Sequence, residues 1–134
     1  MKTPGVNFDE LLDRHRPEIE ALERAEGAGE VFARRVRELE GAVIGLYQEA
    51  VGLARHAERV EEAASVWNSL SRYCQAALQA LARLREKYPE AGAPEVYDLI
   101  LDYKLAADKR HRQLLEDLAC QQTPLPPGLL PEPS

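Results

Sequence analysis

Between Gly29 and Tyr88 the apolar residues return at intervals of three and four, with no proline to interrupt them. On a heptad, Phe32, Leu39, Leu46, Leu53, Val60, Trp67, Cys74, Leu81 and Tyr88 share one position. Val36, Val43, Ala50, Ala57, Ala64, Ser71 and Leu78 share the other. Residues three and four apart lie on one face of a helix, so this spacing predicts helix throughout, with coiled-coil character. Sustained alternation with a period of two and hairpin turns are missing from the sequence, which argues against strands.

Proline and glycine mark the ends of this segment. Upstream, Asn7 stands where a helix cap is wanted, with Glu10 three residues on. Phe8, Leu11, Leu12, Ile19 and Leu22 follow at helical spacing, and Gly27 and Gly29 close the run. Pro17 either kinks this helix or opens a second short one, because its ring fixes φ and removes a backbone donor. Downstream, Tyr88-Pro89 and Gly92-Ala93-Pro94 form a second break. Pro94 suits the first turn of a helix reaching about Gln121. Its apolar face carries Val96, Leu99, Ile100, Tyr103, Ala106, Ala107, Leu114, Leu115 and Leu118.

The central apolar positions change sides along the segment. Val36, Val43, Ile44, Tyr47, Ala50, Val51 and Ala54 cluster on one side of a straight helix, whereas Trp67, Leu70, Cys74, Ala77, Leu78, Leu81 and Leu84 cluster nearly opposite. The polar stretch Glu58–Glu62 separates the two sets. Two all-α architectures follow. One is a three-helix arrangement with a central helix of about 90 Å. The other turns near residues 58–65, with Ser65 as a cap, and closes into a compact four-helix bundle. No glycine or proline occupies the turn region, which favours the continuous helix. Gly41, Gly45 and Gly52 lie inside it, where each is either a tolerated cost or a place for another backbone to approach.

The expected organisation is a flexible N-terminus over 1–6, one helical domain over 7–122 and a disordered, proline-rich tail over 123–134. That tail holds five of the nine prolines. Its Pro124–Pro127 stretch matches PxxP but lacks the flanking Arg or Lys of the usual docking peptides.

Composition adds exclusions. The 134 residues suit one domain, and 17 Lys+Arg against 23 Asp+Glu give a net charge of −6. An acidic chain lacks the basic face that a nucleic-acid binder needs. Its basic clusters, Arg34, Arg35 and Arg37 and then Lys109–Arg112, read as solvated helix faces. No apolar run approaches the length of a membrane span. The opening residues carry no secretory apolar stretch, so the expected compartment is cytoplasmic or nuclear.

Catalytic constellations do not emerge from the residue pattern. Nucleophile-elbow, phosphate-loop and zinc-protease motifs are all missing from it. His15, His56 and His111 are the candidate bases or ligands, and Asp108 with His111 gives a single carboxylate–histidine pair at helical spacing. Cys74 reads as a small core residue and Cys120 as a poor nucleophile at a helix C-terminus. The expectation is a non-enzymatic adaptor without cofactor or metal. It would act as a complex subunit or homo-oligomer and present Leu53, Val60 and Trp67 to a protein partner. The alternative is a four-helix bundle that binds a metal or small ligand near His15 and His111.

Overall fold

The two opposed apolar faces of the central segment are brought together by folding the chain back on itself. A computed structural model describes residues 4–24, 29–89 and 94–122. Its helices are α1 (Pro4–Arg14), α2 (Arg16–Glu23), α3 (Gly29–Arg55), α4 (Val60–Lys87) and α5 (Pro94–Gln122). No strand occurs among the described residues.

The continuous helix expected over 29–88 is therefore replaced by α3, a turn and α4. His56 and Ala57 donate back to Gly52 and Ala54, which completes the last turn of α3. Arg59 then takes an extended backbone (φ −123°, ψ 145°), and its carbonyl accepts the N–H groups of Glu62 and Ala63. Any L-residue adopts such a conformation, so the reversal requires neither glycine nor proline. Glu61 and Glu62 place negative charge in the first turn of α4, where the helix dipole favours it. Ser65 lies inside α4, exposed, and caps nothing. Burial decides the outcome, since a straight helix would leave one apolar face or the other in water along much of its length.

Cross-helix contacts fix the directions. The Phe32 and Tyr88 rings meet at one end of the α3–α4 hairpin, 4.7 Å between centroids, and Tyr47 and Trp67 meet at 5.6 Å nearer the turn. The two helices are thus antiparallel. Helix α5 runs back along α4, with Asp108 at Ser71 and Arg110 over Trp67. Helices α1 and α2 run parallel to α4, with His15 beside Tyr73 and Glu23 beside Arg83.

Taken as one bent helix, α1–α2 completes an up-down-up-down four-helix bundle. The bend lies at His15. Pro17 has no N–H to offer the carbonyl of Asp13, so α1 ends in a tight turn from Leu12 and α2 restarts with the proline in its first turn. Helix α1 already begins at Pro4, so Asn7 sits within it rather than capping it. The tail over 123–134 lies outside the described residues.

Helix α4 is the main support. It packs on α1, α2, α3 and α5, as α3 also packs on α1, α2 and α5, whereas α1 and α2 make no packing contact with α5 among the described residues. Its broad apolar stripe, including Ala64, Leu70, Cys74, Ala77, Leu78 and Leu81, is buried. Phe8, Leu22, Leu39, Leu46, Leu70 and Ile100 are the largest side chains sealed inside the bundle.

Candidate functional site

Folding the hairpin relocates the residues expected to face a partner. Leu53 and Val60 become half-buried neighbours of the α3–α4 turn. Trp67 is only 3% exposed, with Tyr47 against one part of its ring and the Arg110 guanidinium 4.9 Å from its centroid. Tyr47 also meets Tyr103, at 4.7 Å, so the three rings tie α3, α4 and α5 together. A groove of about 370 Å³ opens beside this cluster, with Val51, Ala54, Ala63 and Leu114 among its lining and Arg55 and Asp117 bringing charge to it.

His15 and His111 fall on elements that do not pack against each other. The Nδ1 of His15 stands 3.6 Å from Glu18 Oε2, beyond hydrogen-bond length, while its backbone carbonyl accepts the Tyr73 hydroxyl. Among the described residues no group of three or more His, Cys, Asp or Glu side chains is placed to hold a metal ion.

A polar cluster that the sequence pattern did not single out joins α4 to α5. Among the described residues Ser71 is the buried polar residue of the core, and its hydroxyl donates to Asp108 Oδ1. Lys104 Nζ, one helical turn before Asp108, donates to Oδ2 at 2.7 Å. Burial alone would raise the Asp108 carboxyl. The hydrogen bonds from Lys104 and Ser71, and the positive charges of Lys104 and His111, outweigh it and hold the group below its ordinary range. Cys74 lies close enough to feel the same charges, but burial dominates and pushes its thiol up to about 12. The available signals were a serine at a heptad position and the four-residue spacing of Lys104 and Asp108. Both also fit solvated helix positions.

The outer flank of α5 is the other distinctive surface. Leu105 is 55% exposed and Leu115 44% exposed, the two large apolar side chains left in this state among the described residues. Leu115 was expected on the packed face, and the structure turns it outward. Val96, Ile100 and Ala107 of α5 are buried, and Tyr97, Leu101, Tyr103 and Leu114 pack half-buried against the core, so this helix lies on α4 and α3 by one face and leaves its outer flank open.

Between α1–α2 and α4 a further groove, of about 380 Å³, has Leu12, Ile19, Tyr73 and Ala76 among its lining together with both acidic and basic side chains. No described helix is long and apolar enough to cross a membrane. Comparison with protein-family models, curated proteins and solved structures returns no match.

Proposed function

We propose that this chain is a non-enzymatic helical interaction protein, a subunit of a protein complex or homo-oligomer that docks through apolar helix faces. The observation that carries this reading is the exposure of Leu105 and Leu115 on α5, an edge helix that α1 and α2 do not reach. Apolar surface grouped on one helix marks a contact face more often than a scatter of single residues does. Leu53 and Val60, half-buried at the turn, supply a second place for contact, beside the groove next to Trp67.

The chemistry of the buried nucleophiles favours the same reading. The Ser71 hydroxyl is committed to Asp108, and the Cys74 thiol is sealed from solvent and hard to ionise. Free thiols at Cys74 and Cys120 suit a reducing, cytoplasmic or nuclear setting.

The test is size exclusion with light scattering on the native chain, in extract of cells that express it and again after purification. An interaction protein runs in extract as a species heavier than its 15.0 kDa. A 15.0 kDa species under both conditions overturns the reading.

A further inference from the structure

Leu101, Leu105, Asp108, Arg112, Leu115 and Ala119 succeed one another along α5 at alternating steps of four and three, the spacing of a coiled-coil seam. They form one stripe along the flank of α5 that borders α4, where Asp108 is held by Ser71 and Leu101 packs partly on the core. Leu105, Arg112, Leu115 and Ala119 are exposed, and Leu101 and Asp108 are half-buried. We propose that this stripe pairs with the same stripe of a second copy of the chain, antiparallel, about a two-fold axis passing beside Arg110. The proposal rests on the interaction reading above and names its partner.

The order of residues selects the geometry. In an antiparallel pair each first seam position packs against a second seam position of the other helix. With the axis at Arg110, Leu105 meets the partner's Leu115, Asp108 meets the partner's Arg112, and Leu101 meets the partner's Ala119. The two-fold repeats every contact, so one self-complementary patch serves both copies. Two leucine layers then enclose two ion pairs at the centre. A parallel, in-register pair would instead set Asp108 on the partner's Asp108 and Arg112 on the partner's Arg112, so like charges reject it.

The charged residues are available for these roles. Arg112 makes no ion pair or hydrogen bond of its own among the described residues. Asp108 uses one contact on each oxygen, from Ser71 and Lys104, and a carboxylate has acceptor capacity beyond two. Lys109, exposed beside the axis, comes near its own copy, a repulsion that salt screens. The stripe covers roughly 27 Å of helix, so the contact is small and its association weak and concentration-dependent.

A nitroxide on the native Cys120 tests the arrangement directly. That thiol is exposed, whereas Cys74 is buried and stays unlabelled in the folded protein. In the antiparallel pair the two labels sit on opposite sides of the axis, and pulsed dipolar spectroscopy reads a distance of about 30–35 Å. Leu105→Asp abolishes that distance while leaving the helical content of the chain unchanged. Arg112→Asp, which faces the partner's Asp108 with a like charge, weakens pairing at least tenfold in the same assay.

A monomer at roughly 100 μM, well above typical micromolar dissociation constants, overturns the proposal. So does a distance below about 20 Å, the sign of a parallel pair, or a distance that survives Leu105→Asp. A purified monomer whose extract species is still heavier than 15.0 kDa refutes self-pairing alone and leaves the broader reading standing.

Discussion

Tyr73 and His15 are joined across 58 positions of sequence by one hydrogen bond, the phenol hydroxyl donating to the backbone carbonyl at 2.7 Å. The bond lands on the bend between α1 and α2 and ties it to α4. Burial, then the negative charge of Glu18 and a smaller contribution from Cys74, raises the phenol's pKa, so it remains a neutral donor throughout the physiological range. Tyr73→Phe keeps the ring and removes the donor. The expected cost is about 1 kcal/mol, read in thermal unfolding as a fall of roughly 3 °C. The His15 carbonyl still accepts the Glu18 N–H at 3.3 Å, which keeps the loss modest. An unchanged melting temperature would show that the bend is held by packing alone.

Trp67 belongs to the stability of the single chain. Its ring is almost fully enclosed, by Tyr47 and Arg110 among others. Trp67→Ala is expected to destabilise the purified protein by about 3–5 kcal/mol in denaturant titration. Arg110→Ala removes a cation over the ring and costs about 0.5–1 kcal/mol. A Trp67→Ala protein as stable as the parent would return this residue to the role of a partner anchor.

Gly41 and Gly45 are exposed on α3, and a Cβ added at either would meet nothing within 4 Å. No neighbouring backbone depends on their small size. Alanine at each position reduces the freedom of the unfolded chain and improves helix propensity, so each substitution should stabilise by about 0.5–1 kcal/mol. The two sites lie one helical turn apart without a shared partner, and the double variant should show the sum. Destabilisation by either would reveal a contact made in solution by another molecule.

Asp108 makes stability depend on acid. Its folded carboxyl lies below the ordinary value of 3.8. Near that pH the unfolded chain takes up a proton that the folded one resists, so stability rises with pH. The contribution is fully present above about pH 5 and drains away as pH falls through the lowered folded value. Urea midpoints of the parent and of Asp108→Asn, compared at pH 7 and pH 3, should converge in acid because only the parent loses this contribution. Midpoints that fall in parallel would remove Asp108 from the acid response.

The sequence made the helices plain and the reversal between them obscure. Pro94 announced a helix start and Pro17 left a choice between a kink and a second start, because proline fixes a dihedral and removes a donor wherever it stands; the structure has α2 starting there. The turn at His56–Arg59 uses ordinary extended geometry at Arg59, so no residue type marks it. The sign of it was the change of apolar side between Val51 and Trp67, which describes either a long two-faced rod or two helices folded face to face. Only burial separates these, and burial depends on partners distant in sequence. The same limit hid the surface. Leu115 counts as a core residue at helical spacing, and its exposure becomes visible once the face by which α5 meets α3 and α4 is known. The Ser71–Asp108–Lys104 cluster needed the register of α4 against α5, which no local pattern states.

With α3 and α4 each packed against the bent N-terminal arm and against α5, and no direct packing between those two margins among the described residues, the margins communicate only through the central pair. Fraying of the bent N-terminal arm leaves the packing of α5 on α3 and α4 in place, and a load on α5 passes into those two helices before it can reach that arm. A molecule tethered at one margin can therefore loosen at the other without letting go.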